Sequence, residues 1–471
     1  MSLVFYDTET TGIEKFFDQI LQFAAIRTNE ELKEVDTFAV RCRLLPHIVP
    51  APDAMRVTGV TASQLTDVAC PSHYEMVRRV EARLTSWSPA LFLGWNSIKF
   101  DEELLRQAFY KTLHNPYLTN TANNTRTDAL RIVQACDLFA PDALVISTDE
   151  TGRKIYKLDK VAPANGFAHD DAHDALGDAR ATLFLCRLVY ERAQHVWSAF
   201  MRFSKKSSVV DYITEEPAFC LSYNYGGRSY SHIVTVIGTN PENSNEYYVF
   251  DLSIQPESVR SLSQVELLEF VVRLPRPVRT LKSNAAPILF GVDEAPECCQ
   301  GRHLGNDEIS RRAGILRADT ALCDRLIAAV ISQQQVYPPS SHVEHQIYEG
   351  FTQDPDKKLM SAFHQAPWPN RPAIVEKFQD LRLRHIGRQL IHCEKPELLN
   401  EKLRQELDVA RAKRVLGHCV GAAPWKTLPI ALQELQAMLQ VPGANGMDHL
   451  RDHEAFLLSR LAEANSRLSK V

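Results

Sequence analysis

The chain lacks several features that would narrow its class at once. None of its apolar runs reaches the roughly 18–20 residues of a membrane-spanning helix. The N-terminus has no basic segment of the kind that begins a secretory signal. The ten cysteines include no CxxC pair, and none has partners at zinc-finger spacing. We therefore expect a cytoplasmic protein without a membrane partner, whose cysteines are reduced and packed as small apolar residues.

The chain also lacks an overall excess of positive charge, since its net charge is -5. This balance does not exclude nucleic acid as a partner, because acidic metal ligands lower the total charge of an enzyme whose phosphate-binding surface is local. A hydrophobic content of 45% and a charged content of 24% are typical of globular proteins. A length of 471 residues predicts two or three domains.

Residues 1–195 have the pattern of an α/β domain, in which strands and helices alternate. The predicted strands are Leu3–Asp7, Ile20–Thr28, Thr37–Arg43 and Ala90–Gly94, with a turn at Gly12 between the first two. The predicted helices are Ser72–Thr85, Phe100–Thr112 and Ala172–Gln194.

The pattern changes after this domain. Residues 196–345 contain short β-rich runs between turn signals, which predict a small barrel with added helices. The predicted strands are Phe219–Tyr225, His232–Ile237, Tyr247–Leu252 and Pro287–Phe290, and the predicted helices are Val265–Val272 and Thr320–Gln333. A proline-rich linker, Tyr337–Ser340, leads to residues 346–471, which are predicted to be helical and to end in Leu428–Leu439 and Asp448–Leu468.

Two acidic residues on the first predicted strand are the first sign of chemistry. Asp7 and Glu9 are two residues apart, so both side chains project from one face of the strand. Two like charges about 4 Å apart repel by about 4 kcal/mol at an effective dielectric near 20. A hard cation such as Mg²⁺ or Mn²⁺ would remove this repulsion. A solvated edge strand would also explain the pair.

A third acidic residue follows a predicted buried strand. Asp101 comes at the end of the run that starts at Gly94, where the next helix begins. It is a candidate metal ligand. The structural alternative is an N-cap aspartate that accepts hydrogen bonds from backbone N–H groups.

The third candidate group is His173 and Asp178, near the start of the helix predicted over Ala172–Gln194. On a continuous helix the two side chains would lie about 140° apart, because each residue turns by about 100°. They converge only if His173 lies on the turn before the helix and Asp178 on its first turn. A surface histidine beside acidic residues is the simpler alternative.

Together the three motifs resemble the DEDD exonuclease superfamily in its histidine subtype. The resemblance implies a ribonuclease H-like fold in which Asp7, Glu9, Asp101 and Asp178 bind two divalent cations, Mg²⁺ with Mn²⁺ as the alternative. It also implies that His173, whose ordinary pKa is near 6.5, accepts a proton from the attacking water. The expected reaction is 3′→5′ release of 5′-mononucleotides by a phosphodiester hydrolase.

The order of the three regions resembles bacterial exonuclease I. The local matches are Gln22–Thr28, Thr58–Thr61, Gly94–Asp101, Ala172–Ala175 and Gln346–Phe351. This resemblance implies an SH3-like middle domain over 196–345, a helical C-terminal domain over 346–471, and a monomer that encircles single-stranded DNA and digests it processively in DNA repair and recombination. It also implies a partner, the acidic C-terminal tail of the single-stranded DNA-binding protein. Arg311, Arg312 and Arg317 lie in the corresponding region.

Candidate contacts to DNA are Thr8, Thr10, Asn96, Lys157, Tyr223, Tyr225 and Arg228. Tyr223, Tyr225 and Arg228 cluster with Tyr230 around a Gly-Gly turn. Stacking of a base on an aromatic ring contributes about 1–3 kcal/mol and does not depend on base identity, as digestion of any sequence requires. The alternative is that these tyrosines pack a small barrel.

Three other functions fit parts of the pattern. A 3′→5′ exoribonuclease of the same fold would need groups that recognise the 2′-OH of RNA. A non-catalytic single-stranded DNA-binding scaffold would be expected to have lost a ligand, and all four are present here. A polymerase proofreading subunit is typically shorter and lacks the middle domain.

Overall fold

A mixed five-stranded sheet forms the centre of the first region. Its strands are β1 (Ser2–Thr10), β2 (Ile20–Thr28), β3 (Glu34–Arg41), β4 (Ala90–Leu93) and β5 (Thr125–Arg126). They follow the order β3-β2-β1-β4-β5, in which β1–β2 and β2–β3 are antiparallel and β1–β4 and β4–β5 are parallel. The computed structural model describes residues 2–168, 174–335, 338–440 and 447–469.

Strand β1 is buried on both faces because its apolar residues serve two separate cores. Leu3 and Phe5 belong to one core, whereas Val4 and Tyr6 belong to the other. Successive strand residues point to opposite faces of a sheet, so this division follows directly from the sequence. Helices therefore cover both faces of the first sheet.

Nine helices of the described chain precede the second sheet. They are α1 (Pro52–Thr58), α2 (Ala62–Thr66), α3 (His73–Trp87), α4 (Asp101–Lys111), α5 (Ala129–Phe139), α6 (Leu158–Ala164), α7 (Ala175–Arg192), α8 (Gln194–Phe203) and α9 (Lys206–Glu215). Polar side chains fix where several of them begin. Ser72 accepts a hydrogen bond from the backbone N–H of Glu75 at the start of α3, and Asp128 caps α5 in the same way.

An antiparallel five-stranded sheet forms the second region. Its strands are β6 (Phe219–Tyr225), β7 (Arg228–Asn240), β8 (Asn243–Asp251), β9 (Val278–Lys282) and β10 (Ile288–Phe290), in the order β10-β6-β7-β8-β9. Gly226 and Gly227, with φ of 57° and 73°, make the two-residue turn between β6 and β7. The helices of this region are α10 (Glu257–Arg260), α11 (Gln264–Val272), α12 (Asn306–Ala318) and α13 (Thr320–Ser332).

The first and second regions share one hydrophobic core. The core contains Phe5 and Leu93 from the first sheet and continues without a break to Ile233 and Phe250 in the second. Apolar residues of α5, α7, α8, α12 and α13 fill the space between them. The two sheets are therefore held by common packing.

The remaining helices pack mainly against the first region. They are α14 (Asp354–Gln365), α15 (Arg371–Val375), α16 (Leu381–Glu394), α17 (Glu401–Leu416), α18 (Leu428–Leu439) and α19 (Met447–Leu468). Tyr74 of α3 and Tyr110 of α4 lie in one core with Phe363 and Phe378. Val49 of the first region lies in another core with α17, α18 and α19.

The predicted mixed α/β class is confirmed, and most elements lie within a few residues of their predicted positions. The elements without a predicted range are β5, β9, α1, α2, α5, α6, α8, α9, α10 and α12, together with α14–α17 inside the region predicted to be helical. Among the described residues after 346 the structure contains helices and no strand, as expected. The linker prediction at Tyr337 falls partly outside the described residues. No helix in the described part of the chain has the length and apolar character needed to cross a membrane.

Candidate metal centre and nucleic-acid groove

Two carboxylates project from β1 toward α7. Asp7 and Glu9 share a face of β1 with Leu3 and Phe5, and that face packs on α7. Asp178 lies in the first turn of α7. One ligand oxygen from each of Asp7, Glu9 and Asp178 lies within 4.8 Å of the other two. The structure therefore brings three of the four predicted ligands to one point.

The fourth predicted ligand, Asp101, lies beside this group. It is the first residue of α4, and the N-cap of that helix is Phe100, so Asp101 does not occupy the N-cap position considered as the alternative. Thr8 Oγ1, which lies on β1 between the two acidic residues, donates a hydrogen bond of 2.6 Å to Asp101 Oδ1. Asp101 is 3% exposed. The hydrogen bond ties the start of α4 to β1.

Burial and mutual repulsion raise the pKa values of this cluster. Burial raises the pKa of Asp7 well above its ordinary value, and the charges of Asp101, Asp178 and Glu9 raise it further. Burial, followed by the charges of Asp178 and Asp101, raises the pKa of Glu9 to about 8. Burial raises the pKa of Asp101 to about 7, although the Thr8 hydrogen bond opposes the shift. A divalent cation would remove this repulsion, and converging carboxylates are ligands that Mg²⁺ and Mn²⁺ prefer, so the residues fit such a metal.

Asp174 is the N-cap of α7 and fixes the start of that helix. Its Oδ1 accepts hydrogen bonds from Gln22 Nε2 at 2.8 Å and from Arg41 Nη2 at 2.9 Å. Its Oδ2 accepts from two backbone N–H groups in the first turn of α7. Asp178 lies on that first turn, as the sequence predicted. The predicted proton acceptor, His173, lies outside the described residues.

A buried aspartate outside the predicted ligand set holds the turn between β4 and α4. Asp128 is 1% exposed, and its carboxylate accepts from the backbone N–H of Asn96 at 3.1 Å and of Ile98 at 3.3 Å. Asn96 has a left-handed φ of 57°. A Cβ on Gly94 would lie 2.4 Å from a backbone carbonyl oxygen of β1. The turn therefore lies close against β1 and delivers Asp101 to the cluster.

The residue after Asp101 anchors a buried polar network. Glu102 is 1% exposed, and its Oε2 accepts from the Tyr6 hydroxyl at 3.1 Å. Its Oε1 accepts from Thr119 at 2.6 Å, from Arg126 at 2.9 Å and from Arg106 at 3.1 Å. Two arginines thus compensate one buried carboxylate. The network links α4 to β1 and β5 directly behind the acidic cluster.

A cavity of about 1380 Å³ lies between the first and second sheets. Asn96 and Asp128 line it on one side, at the turn that precedes Asp101. Tyr223, Tyr225 and Tyr230 line it on the other side, and 38%, 78% and 38% of their respective surfaces are exposed. The structure therefore places the predicted contacts Asn96, Tyr223 and Tyr225 in one groove.

The other predicted DNA contacts lie elsewhere. Thr8 and Thr10 are buried on β1, and Thr10 Oγ1 donates a hydrogen bond of 2.7 Å to the carbonyl oxygen of Gly12. Lys157 and Arg228 are exposed, and neither is among the described residues that line the groove. Contact of these four residues with DNA remains a prediction, and none of the four lines the cavity.

The groove has an excess of positive charge that the sequence analysis did not anticipate. Five lining residues are cationic, against the single carboxylate of Asp128; they are Lys99, Arg131, Arg276, Arg279 and Lys282. His232 also lines the groove and is 1% exposed. The cationic residues come from α5, from β9 and from the segments that precede α4 and β9, which are far apart in the sequence. No local motif could have revealed this charge.

The arginines considered for binding of an acidic tail differ in accessibility. Arg311 is exposed and pairs with Glu308 and Glu257. Arg317 is also exposed. Arg312 is 5% exposed and donates to the carbonyl oxygens of residues 252 and 253, so its guanidinium is used within the fold. Of the three, Arg311 and Arg317 are exposed and Arg312 is buried.

Comparison with known proteins agrees with this geometry. A family model described as "Exonuclease" matches residues 4–185. The exodeoxyribonuclease I of Escherichia coli (strain K12) is 26% identical over 460 residues, which are 93% of this chain and 93% of that protein. Among solved structures, exonuclease I from Methylocaldum szegediense covers 98% of this chain and 99% of its own at 22% identity, with a TM-score of 0.85. E. coli exonuclease I in complex with a dA16 oligonucleotide covers 99% of both chains at 23% identity, with a TM-score of 0.83.

Proposed function

We propose, on the premise that this chain is an exonuclease similar to exodeoxyribonuclease I along nearly its whole length, that it hydrolyses single-stranded DNA from the 3′ end to 5′-mononucleotides. The observation that carries the proposal is the convergence of Asp7, Glu9 and Asp178, with Asp101 hydrogen-bonded beside them. The relatives' names and the oligonucleotide bound in a solved relative support DNA as the substrate.

The four carboxylates are proposed to hold two divalent cations, Mg²⁺ or Mn²⁺. When bound, the cations would stabilise the attacking and leaving oxygens of an in-line phosphoryl displacement. The charges of Asp178 and Asp101 act on both Asp7 and Glu9, so all four carboxylates lie close enough to interact. Thr8 keeps the Asp101 carboxylate oriented toward β1. The fold therefore supplies a preorganised set of ligands.

His173 is proposed to accept the proton of the attacking water. The proposal rests on its sequence position, immediately before Asp174, the residue that caps α7. Asp174 is itself held by Gln22 and Arg41. An imidazole with an ordinary pKa near 6.5 accepts a proton readily at neutral pH.

The groove between the two sheets is proposed to hold the single strand. Its cationic side chains suit a polyanion, and Tyr225 exposes most of its ring for stacking. Tyr223 is stacked on Tyr230, with ring centroids 5.4 Å apart, and both rings present part of their aromatic surface to the groove. Such a surface contacts any base, which suits an enzyme that digests strands of every sequence.

The principal test is Asp178→Ala, with Asp142→Ala as the matched control. Asp178 is a proposed ligand, whereas Asp142 is an exposed carboxylate outside the cluster. With 5′-labelled single-stranded DNA and Mg²⁺, we expect Asp178→Ala to lose digestion and to keep most of its strand affinity, because the groove is unchanged. Asp142→Ala should digest like the natural protein. Retained turnover in Asp178→Ala would refute the site assignment.

The direction of digestion and the identity of the substrate need separate measurements. A 3′-terminal phosphorothioate should block digestion of the strand, whereas the same group at the 5′ end should not. Matched DNA and RNA oligonucleotides distinguish the proposed activity from a 3′→5′ exoribonuclease. Equal rates on blunt duplex and on single strands would contradict the proposed preference for single strands.

The wider biological assignment is also a proposal. A cytoplasmic monomer that encloses its strand would digest processively and serve DNA repair and recombination. The acidic C-terminal tail of the single-stranded DNA-binding protein would contact Arg311 and Arg317, which are exposed. Fluorescence anisotropy of a labelled tail peptide should show weaker binding to Arg311→Ala and Arg317→Ala. A peptide in which neutral residues replace the acidic ones serves as the control.

A further inference from the structure

Three of the five cationic residues that line the groove are held by groups of the protein itself. Arg131 Nη1 donates to the carbonyl oxygens of residues 285 and 286. Arg279 is 9% exposed, and its Nη1 donates to Asp251. Lys282 Nζ lies 3.1 Å from Glu246 Oε1. These side chains hold the walls of the groove together, and carboxylates compensate the charges of Arg279 and Lys282.

The other two cationic residues of the groove, Lys99 and Arg276, are exposed. Neither forms an ion pair with any residue that the structure describes. A positive charge that is accessible and uncompensated attracts phosphate, whereas a charge that is already paired attracts it less. The ammonium of Lys99 and the guanidinium of Arg276 are therefore the groups of this set that are available to a strand.

Lys99 lies in the part of the groove next to the acidic cluster. It comes two residues before Asp101, and Cα atoms two residues apart are at most about 7 Å apart. Its backbone N–H donates to the carbonyl oxygen of Asn96 at 3.2 Å. Asp128 holds the N–H groups of Asn96 and Ile98 on the same turn. Because this turn is fixed, a phosphate bound by Lys99 would lie close to the proposed metal centre.

Arg276 lies farther from the metal centre. It comes two residues before β9, whereas the carbonyl groups of residues 284–286, just after β9, accept hydrogen bonds from Arg126 and Arg131 of the first region. Strand β9 spans about 13 Å from its first to its last residue, at about 3.3 Å per residue. Arg276 therefore lies beyond the end of β9 that points away from those contacts.

We propose that Lys99 and Arg276 bind two different phosphodiesters of the strand, and that the one bound by Lys99 lies nearer the 3′ end. This inference deepens the proposed function and rests on it, because the 3′ end is the end that must reach the carboxylates. The strand then lies in the groove with its 3′ side toward Lys99 and its 5′ side toward Arg276.

The first measurement uses the natural protein with modified strands. A neutral methylphosphonate is moved one position at a time along a labelled single strand. Affinity is measured by fluorescence anisotropy in EDTA, so that no digestion occurs and no mononucleotide is released. We expect at least two separate positions at which neutralisation weakens binding about two- to fivefold, as for loss of one ion pair at an exposed site. This measurement does not depend on the folding of any variant.

Two variants then assign these positions. In Lys99→Gln the methylphosphonate nearer the 3′ end should lose its effect, and in Arg276→Gln the one farther from the 3′ end should lose it. Each variant should make the slope of log Kobs against log salt shallower by about 0.7, the value for one phosphate contact on a single strand. Arg273→Gln is the matched control, because Arg273 is exposed, stacks on Phe270 and is not among the described residues that line the groove.

Three results would overturn the proposal. The first is the reverse assignment, in which Arg276→Gln removes the effect nearer the 3′ end. The second is a salt slope that changes as much in Lys282→Gln as in Lys99→Gln, since the groove would then bind by its total charge. The third is an unchanged affinity and scan in both variants. In each case digestion by the natural protein and its loss in Asp178→Ala would still stand, so the nuclease proposal is tested separately.

Discussion

The acidic cluster should make cation binding strongly dependent on pH. A divalent cation requires ionised carboxylates, and burial with mutual repulsion raises the pKa of Glu9 to about 8 and that of Asp101 to about 7. Acidic groups are protonated below their pKa, so acidification places protons in competition with the cation. The apparent cation affinity should therefore fall as the pH is lowered from 8 to 6.

The size of the effect follows from the two pKa values. At pH 6 both carboxyl groups are largely protonated, and at 1.36 kcal/mol per pKa unit removing the two protons costs about 4 kcal/mol. At pH 8 this cost is less than about 1 kcal/mol. The difference, about 3–4 kcal/mol, corresponds to a loss of roughly a few hundredfold in affinity. The raised pKa of Asp7 adds to the effect in the same direction.

Isothermal titration of the protein with Mn²⁺ at several pH values measures this loss. Repeating the titration at pH 7 in buffers of different ionisation enthalpy counts the protons released, and we expect about one or more per protein. Glu9→Gln should release fewer protons, because the amide does not ionise. An affinity that stays constant between pH 6 and pH 8, without proton release, would refute the electrostatic reasoning.

Three further predictions concern the groups that support the site. Glu102→Ala should lower the free energy of unfolding, measured with a chemical denaturant, by about 3–5 kcal/mol. The reason is that Arg126 and Arg106 would remain buried and charged after losing the carboxylate that compensates them. Gly94→Ala should lower both the melting temperature and the nuclease rate, because the added Cβ would clash with the backbone of β1. The control is Gly314→Ala in the middle of α12, where the added Cβ meets no other atom, so this change should be neutral or slightly stabilising. Asp128→Ala should cost about 1–3 kcal/mol and reduce digestion, because backbone N–H groups lose their acceptor; an unchanged melting temperature would contradict its structural role.

Much of the fold could be predicted because its signals are local. The pairing of β1 with β2 follows from two apolar runs separated by a turn, and Asp7 and Glu9 share a face because strand side chains alternate. The β6–β7 hairpin follows from its two glycines. Strand β9 is five residues long and follows a proline, and its two apolar residues, Val278 and Leu281, are three positions apart instead of two, so it gave no clear strand pattern.

The site was only partly predictable because some of its parts depend on packing. The acidic residues carry their own spacing signal, but whether Asp101 serves as a helix cap or lies beside the cluster depends on how α4 packs on β1. Asp128 had a usable signal, an aspartate directly before an apolar helical run. Arg279 and His232 had none, since their proximity depends on the register of three strands around Asp251. Arg312, a possible contact for the acidic tail on sequence grounds, is buried because its guanidinium donates to the carbonyl oxygens of residues 252 and 253. This contact also depends on packing that the sequence does not reveal.

The continuous core beneath the two sheets has a mechanical consequence. Because the walls of the groove rest on the same packed side chains, from Phe5 to Phe250, they cannot separate without breaking that core. The width of the groove is therefore fixed by this packing. If the groove holds the strand, as proposed, a bulky adduct within the strand should not fit between its walls and should halt digestion there.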